Sequence, residues 1–285
     1  MNIGLIGFGY WGKIVLSTLQ NIGLHNIYIY DKNPIICDNI PTRCEIITEE
    51  KLLFTCDKIF IITPLSTHFD LCESFLSRGI DVFCEKPLDT DPWKVTKLFD
   101  LAVSNRCNLF VDWLFTNNPA VNKIKSLIEN KKLIVNSIMA NRMNLGPVRH
   151  DTDAKWDLAS HDVSICNHIL NSKPNYIKWI NFKRNITSHT NDSSIGLLKY
   201  NSTSVQINVS WHYPIKDRTY IIDCGNDGII RWDDTSKEIV FNNKNIYFDQ
   251  SQPLTISIER FLNNPESNYQ QTLDITSTLY ENTIQ

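Results

Sequence analysis

Residues 2–12 read NIGLIGFGYWG, and the spacing of their glycines decides what the first half of the chain can be. NIGLI is a short apolar run suited to a buried strand. Gly7, Gly9 and Gly12 follow as G-x-G-x-x-G, and KIVLSTLQN continues with helical periodicity. The glycine pattern alone is weak. Between a strand and a helix it reads as a dinucleotide-binding turn. Gly7 permits the tight turn, Gly9 lets the backbone approach a pyrophosphate, and Gly12 lets helix and strand pack closely. The free N–H groups of the helix start, with their partial positive charge, suit phosphates. Phe8, Tyr10 and Trp11 stand between the glycines and join them as expected cofactor contacts. The stretch lacks a basic leader and is read as folded structure rather than as a signal peptide.

Working outward, NIYIY ends at Asp31, nineteen residues after Gly12. A carboxylate there can accept both hydroxyls of the adenosine ribose and repels a 2′-phosphate, so NAD is favoured over NADP. Lys32 beside it leaves NADP as the weaker alternative. The runs DKIFIIT, DVFC and NLFVDWLF alternate with helical stretches at 12–22, 67–78 and 92–104. That rhythm predicts an α/β domain with a parallel sheet and right-handed crossovers.

After about residue 116 the pattern changes. Helices are expected near 118–130 and 157–170. In SVQINVSWH, Val205, Ile207, Val209 and Trp211 alternate with polar residues, the mark of a half-buried antiparallel strand. Turns are expected at Asn226-Asp227-Gly228 and at 242–245. The expectation is an N-terminal doubly wound parallel sheet over 1–116 and a C-terminal α+β domain over 117–285. The second has an open, mainly antiparallel sheet with helices on one face. The tail, 268–285, is read as a closing helix that can pack back on the first domain.

Net charge is −3 over 285 residues, which offers no basic field for nucleic acid and no polybasic membrane patch. No run approaches the ~18 apolar residues of a membrane span. The eight cysteines (37, 44, 56, 72, 84, 107, 166, 224) form no C-x-x-C pair, and several lie in apolar runs. Free thiols in a reducing compartment are expected, with no metal site and a cytoplasmic location. The sequons at Asn185, Asn191, Asn201 and Asn208 are read as chance.

Two stretches carry chemistry. In DVFCEKPLDT (81–90) an apolar strand runs directly into Glu85, Lys86 and Pro87. Lys86 then stands at the C-terminal edge of the parallel sheet, where ligands bind in such folds. In KWDLASHDVSICNHIL (155–170), Leu158, Ile165 and Ile169 form an apolar stripe, widened by Val163, Cys166 and Leu170. Asp157 and His161, four apart, share a face near the start of that helix. A histidine in a first turn feels the positive end of the helix dipole, which disfavours its protonated form and suits a base. Oxidation of an alcohol by nicotinamide needs both a base for the hydroxyl proton and a cation for the developing alkoxide. His161 and Lys86 fit those roles.

Together GLIGFGYWG (4–12), IITPLSTHFDLC (61–72), CEKPL (84–88) and WDLASHD (156–162) resemble the Gfo/Idh/MocA family of oxidoreductases. The likeness continues through VDWLFTNNPAVNKIK (111–125) and SWHYPIKDRTYII (210–222). It implies a Rossmann domain followed by an α/β domain whose open sheet forms homodimers or homotetramers. It also implies that Lys86 contacts nicotinamide and substrate, and that His161 is the base with Asp157 in support. Thr63, Pro64 and His68 would line the cofactor, Glu85 would be its acid, and the bond before Pro87 is commonly cis. Ala159 replaces the motif's glycine. The region NLGPVRHDTDAKWDLASHDVSI is similar to a branch that oxidises C3 of nucleotide-linked sugars, such as UDP-N-acetylglucosamine, for surface polysaccharides. Arg149, Lys155, Lys216 and Arg218 are the cations suited to a diphosphate or sugar oxygen. A free sugar, inositol or diol is the alternative substrate. A non-catalytic NAD-binding regulator is the alternative class.

Overall fold

The computed structural model describes residues 1–33, 44–149, 151–183, 190–263, 266–281 and 283–284; Cys37 and Asn185 lie outside them. The chain divides into two compact units. One comprises Met1–Trp113 with Gln252–Leu273, the other Leu114–Ser251 with Asp274–Gln285.

The first unit holds a six-stranded sheet. Its strands are β1 (Ile3–Ile6), β2 (Ile27–Tyr30), β3 (Cys44–Ile46), β4 (Lys58–Ile61), β5 (Asp81–Cys84) and β6 (Leu109–Val111), in the order β3-β2-β1-β4-β5-β6. Every pairing is parallel. The helices α1 (Tyr10–Asn21), α2 (His68–Leu76) and α3 (Pro92–Ser104) make the crossovers. This is a Rossmann sheet, and the strand order reverses between β1 and β4, the point where such folds take ligands. Strand β3 is short and mostly exposed, too weakly apolar to stand out in the sequence.

The helix α6 (Pro253–Asn263) was not foreseen, although Leu254, Ile258 and Phe261 are spaced for one face. Its Phe261 explains why this late segment joins the first unit. Phe60, Phe83 and Phe110 stand in register on β4, β5 and β6. Phe261 packs on them at ring separations of 5.5, 5.6 and 6.1 Å. Edge-on aromatic contacts of this kind add to plain area burial.

The second unit is built on a ten-stranded sheet. In chain order its members are β7 (Ser137–Leu145), β8 (Tyr176–Phe182), β9 (Ser193–Tyr200), β10 (Thr203–Ser210), β11 (His212–Asp217) and β12 (Thr219–Asp223). The rest are β13 (Ile229–Asp233), β14 (Glu238–Phe241), β15 (Lys244–Asn245) and β16 (Thr283–Ile284). Pairings are antiparallel except β7 with β10 and β8 with β16. Along β10, Val205, Ile207 and Val209 are buried while Ser204 is exposed and Gln206 and Asn208 are half-exposed, as the alternation requires. Asn242 and Asn243 take left-handed conformations in the tight turn between β14 and β15. Helices α4 (Pro119–Lys131) and α5 (Ser160–Leu170) belong to this unit, and α7 (Tyr269–Tyr280) closes the chain before β16. The described cysteines are free thiols. No helix among the described residues is long and apolar enough to cross a membrane.

Candidate cofactor and catalytic residues

At the end of β1, Gly7 has φ +92°, and a Cβ there would stand 2.3 Å from the Ile62 carbonyl oxygen. A Cβ on Gly12 would stand 2.1 Å from the Gly7 carbonyl oxygen. Both positions exclude any side chain for reasons internal to the fold. Gly9 differs, since a Cβ on it would meet nothing within 4 Å. It caps α1 without a side-chain hydrogen bond, and the first N–H groups of a helix have no intrahelical acceptor. A glycine free of internal need, beside an uncapped helix start, fits a pyrophosphate.

Asp31 closes β2 and reaches back to this loop. Its Oδ2 accepts from the Phe8 N–H at 2.6 Å and its Oδ1 from the Asn33 N–H at 2.8 Å. It thus pins the glycine loop to the second strand as well as standing where a ribose would be read. Lys32 beside it is exposed, as is Tyr10.

The strand-end motif is joined to the same loop. The Trp11 indole N–H donates to Glu85 Oε1, and the Lys86 N–H donates to Glu85 Oε2 at 3.1 Å. The Lys86–Pro87 bond is cis. His68, at the head of α2, is buried with Nδ1 2.8 Å from the Pro87 carbonyl oxygen and Nε2 2.8 Å from that of Thr63. The sequence assigned His68 to the cofactor lining. In the fold its ring ties the Thr63-Pro64 turn to the Glu85-Lys86-Pro87 loop.

In the second unit, Lys155–Ala159 form a π-helical turn that runs into α5. This corrects one expectation. His161 is not in the first turn of its helical run, since the Asp157 N–H already bonds the Asp153 carbonyl at 2.9 Å. The dipole argument loses its footing. π turns inside helices occur frequently at functional sites, and this one carries Asp157. The Asp157 carboxylate lies 3.3 Å from Arg149 Nε and accepts from the Trp211 indole N–H at 3.2 Å. Trp211 was read only as a strand residue; its indole proton is a donor that a buried position must satisfy, and that was the available signal. His161 meets the edge of the Phe115 ring at 5.0 Å.

Beneath His161 lies a buried charge network. Arg142 on β7 donates from Nε to Asp162 Oδ1 at 2.9 Å, and the Tyr220 hydroxyl donates to the same oxygen. Burial pushes the Asp162 carboxyl up, and the Arg142 charge pulls it back only in part. The Arg142 guanidinium lies 4.4 Å from the centre of the Phe115 ring, so Phe115 touches both Arg142 and, edge-on, His161.

The four proposed anion-gripping cations are treated differently by the fold. Arg149 meets Asp157, as above. Arg218 turns inward: burial and then Arg142 lower its proton affinity, and its other electrostatic neighbours are Asp234, Asp162 and Tyr220. Lys155 is buried, with its proton affinity lowered by desolvation, and its ammonium stands 5.7 Å from the Trp156 ring centre. Lys216 is exposed on β11.

Residues 1–113 match the Gfo/Idh/MocA model, described as an oxidoreductase family with an NAD-binding Rossmann fold. Inositol 2-dehydrogenase of Rhizobium meliloti is 23% identical over 61% of this chain and 56% of its own. UDP-N-acetylglucosamine 3-dehydrogenase of Acidithiobacillus ferrooxidans is 24% identical over the same shares, 61% and 56%. The chain therefore aligns with little more than half the length of these curated relatives. The crystal structure of the Acidithiobacillus enzyme superposes with a TM-score of 0.85, 19% identity, and coverage of 98% of this chain and 95% of that one. A 3-ketoreductase from Actinomadura kijaniata, solved with NADP and TDP-benzene, gives a TM-score of 0.86 at 15% identity, covering 98% and 95%. With its glycine loop and its parallel sheet, the first 113 residues match the NAD-binding Rossmann fold described for the Gfo/Idh/MocA oxidoreductase family.

Proposed function

We propose that this protein is an NAD-dependent dehydrogenase that oxidises a secondary hydroxyl, at C3, of a nucleotide-linked sugar such as UDP-N-acetylglucosamine, in the making of surface glycans. The observation that carries the reading is the bond from Trp11 in the glycine loop to Glu85, which ties the loop expected to hold pyrophosphate to the residue preceding Lys86. Binding of cofactor and placement of the lysine are then one structural event. The first unit is the NAD-binding domain and the second binds substrate.

NAD bound at Gly7–Gly12, Asp31, Thr63 and Pro64 supplies the hydride acceptor. The Lys86 ammonium donates to the sugar oxygen and stabilises negative charge as it develops. His161 takes the hydroxyl proton, and Asp157, fixed by Trp211 and Arg149, holds the histidine or a sugar hydroxyl in place. Arg149 is the cation best placed to exchange Asp157 for a substrate phosphate, being half-exposed while Arg218 faces the buried network. A cytoplasmic homodimer or homotetramer is part of the proposal. Met139, Leu197 and Ile221, exposed on the open sheet face, line a groove of about 490 Å³ suited to a second copy.

Absorbance at the reduced-nicotinamide band, with NAD and a panel of UDP- and dTDP-hexoses, myo-inositol and simple diols, tests the reading. Turnover with a nucleotide sugar, giving the 3-ketone, is the expected result. Turnover with inositol alone, the substrate named for the Rhizobium relative, favours the free-polyol alternative. Cofactor binding without turnover on any substrate favours a regulator.

Gly9→Ala separates cofactor binding from folding. Its φ of −72° suits alanine, and no protein atom opposes the new Cβ. Stability should change by less than about 0.5 kcal/mol. NADH affinity should fall by about tenfold or more, roughly 1.4 kcal/mol, because the methyl fills the pyrophosphate's approach. Fluorescence titration and thermal melting check both; unchanged affinity would remove the phosphate site from this loop.

A further inference from the structure

Asp112 follows β6 directly, and its N–H donates to the Cys84 carbonyl at 2.9 Å, which sets it in register beside Glu85 and Lys86. Its side chain is buried. The Ser257 hydroxyl of α6 donates to Oδ1 at 2.6 Å, while Oδ2 has no hydrogen-bond partner. The charged groups that face it are Glu85 and Lys86, from the loop after β5. From α6 it meets neutral Ser257, and Glu259 and Arg260 of that helix are exposed. Near the start of α7, Asn268 and Thr272 are neutral and bind Val111 and Trp113.

Burial raises the proton affinity of Asp112 well above that of an ordinary carboxyl, and the Glu85 charge adds to it; Ser257 and Lys86 act the other way. The two acids differ in kind. Glu85 accepts an N–H bond at each carboxyl oxygen. Asp112 accepts one hydroxyl bond and keeps an oxygen without partner.

We propose that Asp112 answers to the charge of the nicotinamide: it carries a proton in the free protein and with the neutral reduced ring, and gives that proton to solvent when the cationic oxidised ring lies beside Lys86. The inference rests on the reading that Lys86 contacts nicotinamide. On release, the O–H bond of Asp112 breaks, the carboxylate keeps the electron pair, and its charge offsets that of the ring. When the ring returns to the neutral form, the carboxylate takes one proton back, and nothing at Asp112 is oxidised or reduced. A unit positive charge within about 4–6 Å of a carboxyl lowers its proton affinity by roughly one to three pH units, the direction that releases the proton.

Calorimetric titration of the full-length protein with NAD and with NADH at pH 7, each in phosphate and in Tris, measures the protons released on binding. Wild type should release about one proton more with NAD than with NADH. In Asp112→Asn, which keeps the shape and the Ser257 contact, that difference should fall below about 0.2. Ser257→Ala, which removes the bond favouring the carboxylate, should keep the release but move its midpoint to higher pH. Equal release with both cofactors in wild type, or a difference that survives in Asp112→Asn, overturns the proposal. A difference that disappears in the variant, in a protein that oxidises no sugar, supports Asp112 and defeats the dehydrogenase reading instead. Failure to bind either cofactor defeats both.

Discussion

Lys86→Ala should lower kcat/KM for sugar oxidation by about a thousandfold, equivalent to roughly 4 kcal/mol of transition-state stabilisation. The lysine is the proposed donor to an oxygen that gains negative charge, and such donors matter most in the transition state. NADH affinity should stay within a fewfold, because the glycine loop, Asp31 and the Trp11–Glu85 bond are untouched. Lys86→Arg should recover little: the planar guanidinium is longer and presents its donors in a rigid fork, so restoring charge does not restore position. Steady-state kinetics and NADH fluorescence separate the two effects. Activity within tenfold of wild type in the alanine variant would take the chemistry away from this residue.

The second large effect concerns stability. Arg142 and Asp162 have side-chain exposures of only 1% and 0%. Asp162→Ala leaves a guanidinium buried without its main partner, and breaking such a pair costs about 3–5 kcal/mol. The denaturant midpoint should fall accordingly. Replacing both members with apolar residues of similar volume, Arg142→Met with Asp162→Leu, should recover most of the loss, since the pair's desolvation cost disappears with it. Tyr220→Phe should do less harm, because it removes one hydroxyl bond and leaves the ion pair. A loss below about 1 kcal/mol in Asp162→Ala would mean that water reaches Arg142 in the folded state.

These two predictions draw on different kinds of information. The place of Lys86 just after a strand was legible before any coordinates, because a strand, its end and the proline after it are local features of ten consecutive residues. The Arg142–Asp162 pair was not. Its members stand twenty residues apart on a strand and a helix, and nothing in either segment marks them as partners. His68 was expected to line the cofactor, and what its sequence position did not foretell is that its ring lies between the carbonyls of Thr63 and Pro87. Arg218 was read as a cation suited to a diphosphate, and only the packed structure places it, half-buried, beside Arg142, Asp162 and Asp234.

By itself the sequence determined the parallel sheet and the glycine turn that opens it. Those depend on hydrogen-bond periodicity and on glycine spacing, which act over a few residues and leave a pattern in the chain. The tertiary structure alone decided that Phe261 completes an aromatic core begun at Phe60, that Trp211 holds Asp157, and that Ser257 and Asp112, 145 positions apart, meet at a strand end. Such contacts gain their energy from burial and from satisfying isolated polar atoms. Both are properties of the packed interior, and neither leaves a period for a one-dimensional reading to find.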